Sequence, residues 1–235
     1  MINIKLTSRD LRLLNDLYKN SFMAFYQIKE MHFNNKADST IYNRLSKLIR
    51  ADVIKSIRVN LIAIHKENMD IGVIYSLTNK GLSLLKEYSY KEINRSVPIP
   101  INLSQLSHDL ILTDVLRKLG GINLKLYGYR ANLDEQIPDA IIHKENNKCA
   151  IEVELTAKSN LRYREILSNY MTSNKYSEVL YVVKNKAIET KIKNILLENY
   201  NTSFYENDSG KFSFVTLKEF FRDNEINKRR HALEL

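Results

Sequence analysis

Cysteine, proline, glycine and tryptophan are scarce in this 235-residue chain, with one Cys, three Pro, six Gly and no Trp. The single Cys149 cannot close an internal disulfide. Neither it nor the five histidines fall at zinc-ligand spacing, so disulfide-scaffold and structural-zinc folds are excluded. Cys149 is expected in the core. No apolar run approaches the roughly 18 residues of a membrane span. The opening MINIKLTSRDLRLL carries acidic and basic residues where a signal peptide needs an apolar block. These absences lead to the expectation of a cytoplasmic protein with no membrane partner. There is no internal repeat and no low-complexity stretch.

Hydrophobic residues make up 44% and charged residues 27%, a globular balance, and the length suits one large domain or two small ones. The net charge of +9 points to a phosphate-rich partner, because Lys and Arg neutralise phosphates and release counterions. Abundant Asn and Lys also fit an AT-rich coding bias, so the placement of the charge matters more than its sum. Residues 1–90 hold 14 Lys/Arg against 8 Asp/Glu, a surplus of six.

That same stretch reads as helix, helix, helix, hairpin, helix. Thr7-Ser8 offers a cap before Leu11, Leu13, Leu14, Leu17 and Tyr18, which form an apolar helical stripe. AFYQIKEMHF is a shorter second helix, with Phe25, Ile28 and Met31 at helical spacing. A third opens after Asp38 or Ser39 and buries Ile41, Leu45, Leu48 and Ile49. VIKSIRVNLIAI and VIYSLT then read as strands around the turn HKENMDIG, and Thr78 can cap a last helix bearing Leu82, Leu84 and Leu85. This order is that of a winged helix-turn-helix, in which the third helix enters the major groove of double-stranded DNA.

The outer face of that third helix carries Thr40, Asn43, Arg44, Lys47 and Arg50. Arg pairs with guanine, Asn with adenine, and Ser or Thr with phosphate. The expected DNA-binding set is Lys36, Ser39, Thr40, Asn43, Arg44 and Lys47. Arg58 and Lys66, with Lys55 and His65, are expected from the wing. The rival reading is an ordinary solvated helix face on a module that binds protein.

The segment SYKEINRSVPIPINLS has little persistence of either period. The boundary is therefore placed there, giving domains 1–94 and 95–235. Beyond it, QLSHDLILTDVLRKLGG is a helix stopped by Gly120-Gly121. INLKLYGY, PDAIIH and KCAIEVEL are strands, LRYREILSNYMTSNK a helix, VLYVVK a strand, AIETKIKNILLENY a helix and SFVTL a strand. The fold class expected is α+β.

Hydrolysis of a phosphodiester with Mg²⁺ or Mn²⁺ needs hard oxygen ligands converging from different strands, usually with a lysine to stabilise the phosphate. Asp139 and Glu152 can meet across a hairpin. Glu152 and Glu154 point to one sheet face because the strand period is two. Two carboxylates on one face of an apolar strand repel unless neutralised, either by a cation or by Lys158, Arg162 and Arg164 in a plain salt-bridge cluster.

Helix, three strands, helix, strand, with Pro138-Asp139 and then Glu152-Val153-Glu154, resembles the PD-(D/E)xK nuclease fold of restriction endonucleases. The lysine expected two residues after the second acid is Glu154 here, and Lys158 stands in as a migrated lysine. The resemblance implies a metal held by Asp139 and Glu152, with Asp109 as a further acid from the first helix in preference to His108 or Asp114. Asp139, Glu152, Glu154 and Lys158 form the implied catalytic set. Over about residues 5–185 the chain also resembles the replication-relaxation family of plasmid and mobile-element proteins, through YSLTNKGLSLL, SHDL, PDA, EVELT and the RY that follows. That likeness implies a part in plasmid replication or mobilisation, beside replication or mobilisation proteins. A homodimer is expected from the two-fold symmetry of many helix-turn-helix proteins. The competing reading is a non-catalytic accessory or transcription regulator whose second domain is a dimerisation or partner scaffold. Tyr163, Tyr170, Tyr176 and Tyr181 are candidate relaxase-type nucleophiles, but without a histidine cluster to hold a metal, packing is the preferred reading.

Overall fold

The computed structural model describes residues 4–66, 68–88, 93, 98, 100–123, 136–144, 147–199 and 211–222. The protein is a mixed α+β chain that divides into two compact units, Met1–Asp114 and Val115–Leu235. The division falls within helix α5 (Leu106–Leu119), downstream of the proline-bearing segment around residue 95.

In the first unit, helix α1 (Ser8–Asn20) is capped by Thr7. The Thr7 hydroxyl accepts from the Asp10 amide at 3.3 Å, and the Asp10 carboxylate accepts from the Thr7 amide at 2.7 Å. This capping box satisfies two amides that have no partner inside the helix. Leu13, Leu14 and Leu17 form its buried stripe. Strand β1 (Phe22–Ala24) runs directly into α2 (Phe25–His32), and a turn with Asn35 at positive φ precedes α3 (Asp38–Arg50). The residue at the cap position of α3 is Ala37, which makes no side-chain cap; Asp38 instead pairs with Lys29 of α2 at 2.7 Å.

The hairpin read from the sequence is present as β2 (Ile54–Arg58) and β5 (Val73–Leu77), paired from Ile54↔Leu77 to Arg58↔Val73. Strand β1 joins the other edge of β5, a pairing that three residues cannot signal by periodicity. Between them, β3 (Ile62–Ala63), at the end of the stretch read as the first strand, and β4 (Met69–Asp70), within the stretch read as a turn, form a second, short antiparallel pair. Helix α4 (Asn79–Tyr88) follows, with the Thr78 hydroxyl accepting from the Gly81 amide at 3.0 Å. A Cβ at Gly81 would lie 2.0 Å from the Val53 carbonyl oxygen, so this close approach is open only to glycine. One core cluster joins α1, α3, α4 and the sheet through residues such as Leu14, Ile41, Leu48 and Leu82. Another sets Phe22, Tyr26, Ala63, Ile71 and Ile74 against Leu106 and Leu110 of α5. The first part of α5 is thereby part of this unit's core.

The second unit takes up the end of α5, which stops where Gly120 adopts φ 72°. The sheet has the order β10-β9-β8-β7-β6, made of β6 (Ile122–Asn123), β7 (Ala140–Lys144), β8 (Asn147–Glu154), β9 (Glu178–Val183) and β10 (Phe212–Thr216). Strands β6, β7 and β8 pair antiparallel, while β8, β9 and β10 pair parallel. The expected strand INLKLYGY is described only at β6; its remainder and the charged tail lie outside the described residues. Helices α6 (Asn160–Thr172) and α7 (Lys186–Asn199) pack on the sheet face that carries Ala150, Val179, Tyr181 and Val183, through Tyr163, Leu167, Tyr170, Ile188 and Ile192. A short α8 (Leu217–Phe221) follows β10, capped by Thr216. Among the described residues no helix is long and apolar enough to cross a membrane.

Candidate functional site

On α3, Ile41, Leu45 and Leu48 face the core, which leaves Ser39, Thr40, Asn43 and Lys47 exposed, with Lys36 exposed just before the helix. Arg50 lies on the same outer face, and its guanidinium donates to the Ser46 carbonyl at 3.4 Å. Two exposed residues escaped the sequence reading. Ser46 sits one turn from Asn43 and Arg50, and helical spacing would have found it. Tyr42, 48% exposed, is stacked on Phe25 of α2 with ring centroids 4.2 Å apart and planes 8° apart. Only the tertiary fold brings those rings together.

Arg44 belongs to a different structure from its neighbours. Its Nε donates to Asp10 Oδ1 at 2.9 Å, and Nη2 donates to Asp10 Oδ2 and, at 3.0 Å, to the Lys5 carbonyl. The Asp10 side chain is fully buried, and that of Arg44 is 19% exposed. Burial by itself would raise the Asp10 pKa, yet the Arg44 and Thr7 hydrogen bonds outweigh it and hold the carboxyl below its ordinary range. Arg44 thus ties α3 to the start of α1, a role invisible in a helical-face count because its partner lies 34 residues away.

The residues expected from the hairpin also divide. Lys55 and Arg58 are exposed on β2. Lys66 donates to Glu30 at 3.0 Å, and His65 is turned inward with its side chain fully buried. His65 Nε2 lies 2.6 Å from Asp114 Oδ2, Tyr26 donates to the same oxygen at 2.6 Å, and Gln27 donates to Asp114 Oδ1 at 3.1 Å and to the Leu110 carbonyl at 3.0 Å. This buried set fastens the β3–β4 turn to α2 and α5. Burial would raise the Asp114 pKa, and the His65 and Tyr26 hydrogen bonds bring it below the ordinary value. Asp109 pairs with its neighbour His108 at 3.2 Å and belongs to the first unit, whereas Asp139 and Glu152 belong to the second.

In the second unit the expected acids gather on one face. The pair Ala140↔Ile151 places Asp139, just before β7, opposite Glu152 of β8. Both are buried. Asp139 Oδ2 accepts from the Val153 amide at 2.9 Å, and Glu152 Oε1 accepts from the Tyr170 hydroxyl and, at 3.1 Å, from Gln136. Burial, and then the neighbouring Asp139 charge, push the Glu152 carboxyl up to about 8. Glu154, two residues on, forms an ion pair with Lys158, whose amide donates to the Tyr163 hydroxyl at 3.1 Å. The burial of Tyr163 raises its phenol to about 12. The expected set therefore resolves into an Asp139–Glu152 pair and a Glu154–Lys158 pair. Among the described residues no three His, Cys, Asp or Glu side chains group to hold a metal. Arg162 and Arg164 pair instead with Glu165 at 3.1 Å and Glu198 at 3.6 Å.

Gln136 escaped the sequence reading, and Tyr170, weighed there as a nucleophile and preferred as packing, also donates to Glu152. Tyr163 and Tyr170 are two turns apart on α6, which places both on the face toward Glu154 and Glu152, but only the register of β8 under that helix identifies their partners. Compared with protein-family models, with curated proteins and with solved structures, the chain gives no match.

Proposed function

We propose that the chain is a DNA-binding protein whose first unit acts as a winged helix-turn-helix, with α3 lying in the major groove of double-stranded DNA. One observation carries this reading. The outer face of α3 presents Ser39, Thr40, Asn43, Ser46, Lys47 and Arg50 to solvent, while its only acid, Asp38, is paired with Lys29. Such a face supplies phosphate donors together with groups that hydrogen-bond to base edges. The element order α1, α2, α3, hairpin, α4 and the chain's charge of +9 support the same reading. Arg44 enters as a positioning residue that fixes α3 against α1, rather than as a DNA contact. The test is binding of a mixed-sequence duplex by fluorescence anisotropy across a salt series: a steep loss of affinity with salt is expected, shallower in Lys47→Ala with Arg50→Ala. Salt-independent or absent binding would overturn the reading.

A second reading, for the second unit, is favoured by the Asp139–Glu152 pair. We infer a nuclease-like α/β domain that cleaves DNA with Mg²⁺ or Mn²⁺ held by these two carboxylates. Two hard oxygen donors from adjacent strands, one destabilised as an anion by the other, fit a divalent cation. Bound there, the ion would polarise a phosphate oxygen and lower the pKa of a water. Asp139 is oriented by the Val153 amide, and Glu152 by Tyr170 and Gln136. Lys158, neutralised by Glu154, is placed to meet a phosphate when that ion pair opens. The setting proposed is plasmid or mobile-element replication or mobilisation, in the cytoplasm, as the family resemblance implies. If the acids bind no cation, the rival follows: a non-catalytic accessory or regulator whose second unit is a dimerisation or partner scaffold.

A further inference from the structure

Tyr181, on β9, is paired in register with Glu152, so its side chain rises from the same sheet face one strand away. It is 1% exposed, and its ring is stacked on Phe214 with centroids 5.4 Å apart. Its hydroxyl has no hydrogen-bond partner among the described residues. The neighbouring tyrosines on this face are placed differently: Tyr170 donates to Glu152, and the Tyr163 hydroxyl accepts from the Lys158 amide. A buried O–H without an acceptor destabilises the fold, and such groups in folded proteins are generally satisfied by protein or by ordered water. Burial, reinforced by the charges of Glu152, Glu154 and Asp139, pushes this phenol well above its ordinary value, so it remains a donor at neutral pH. A donor without an acceptor among the described residues, beside carboxylates with oxygen lone pairs to share, fits a small ligand that accepts from the phenol and donates to an acid. Water has that chemistry.

We propose that the Tyr181 hydroxyl and the Asp139–Glu152 pair enclose a buried water, and that this water becomes part of the hydration shell of a divalent cation when one binds the acids. The first half stands on the hydroxyl alone. The second half rests on the cation reading given above. Tyr181 is then a positioning residue that acts through the water, and β9 joins β7 and β8 in building the site.

Tyr181→Phe in the full chain tests both halves, because it removes one oxygen and leaves the ring stacked on Phe214. With EDTA present, loss of a hydroxyl bonded to water lowers Tm by a few degrees. An unchanged or raised Tm would overturn the water site, since deleting an unsatisfied hydroxyl relieves a penalty. A crystal structure of the metal-free protein should place a water at about 2.8 Å from the Tyr181 oxygen; an empty position, or a protein acceptor there, would also overturn it. For the second half, Mn²⁺ titration by calorimetry should give at least a tenfold weaker Kd for Tyr181→Phe, the scale of lost outer-shell partners. Mn²⁺ affinity equal to wild type would overturn the hydration role. Wild-type protein that binds no Mn²⁺ would overturn the cation reading and this second half together, leaving the EDTA and crystallographic results to decide the water site.

Discussion

Asp10 in the first unit and Glu152 in the second are both buried carboxylates, and their surroundings drive them in opposite directions. Asp10 meets a guanidinium, a threonine amide and a threonine hydroxyl, and is held ionised. Glu152 meets a phenol, an amide and a second carboxylate, and is driven toward its protonated form. A buried acid with a cation and a full set of donors belongs to the scaffold. A buried acid set against another acid, with no cation bonded to it among the described residues, is a standing demand for positive charge. Asp114, with donors from His65, Tyr26 and Gln27, sides with Asp10.

The largest effect should come from cutting the first unit short. Leu106, Leu110 and Asp114 are integral to it, so a fragment ending near residue 95 should fail to melt cooperatively, whereas one ending near residue 120 should melt cooperatively. Circular dichroism on heating both fragments checks this, and a cooperative transition in the shorter one would dissolve the role assigned to α5. Next in size, Arg44→Ala leaves Asp10 buried without its cation and should destabilise the unit by about 3–5 kcal/mol. Lys47→Ala, on the exposed face of the same helix, should stay within about 0.5 kcal/mol. Denaturant titration separates the two, and equal stabilities would remove the distinction between scaffold and interface on α3.

The pH dependence sharpens the comparison further. Because the Glu152 pKa is raised on folding, its stabilising contribution is complete below the ordinary value of 4.5 and is lost as pH rises through about 8. Asp10 has the reverse sign: its contribution is present above 3.8 and lost as pH falls through its depressed folded value. In EDTA, Glu152→Gln should therefore gain on wild type by a few degrees in Tm between pH 5 and pH 8.5, and parallel profiles would count against the acid-pair account. The smallest effects are expected on the α3 face proposed to meet DNA, where Lys47→Ala and Arg50→Ala should each lower the slope of log affinity against log salt by about 1 if each side chain neutralises a phosphate.

Local signals were legible in the sequence where the cause is local. The Thr7 cap, the β2–β5 hairpin, the stop at Gly120 and the strands around Asp139 and Glu152 follow from capping chemistry, turn residues and period, which act within a few positions. What stayed hidden was set by distance along the chain. The pairing of Arg44 with Asp10, the inward turn of His65 onto Asp114, and the placing of Tyr181 beside Glu152 depend on which elements pack together, and no local pattern encodes them. The candidate acids were therefore readable as a set, but their division into two pairs was not.

The most direct test of the central claim, that the Asp139–Glu152 pair is a cation site where Asp10–Arg44 is scaffold, is a calorimetric titration of Mn²⁺ into wild type, Asp139→Asn and Glu152→Gln at pH 8. The account predicts binding by wild type that either substitution abolishes while the fold is kept. Absence of binding in wild type, or binding that survives both substitutions, would contradict it.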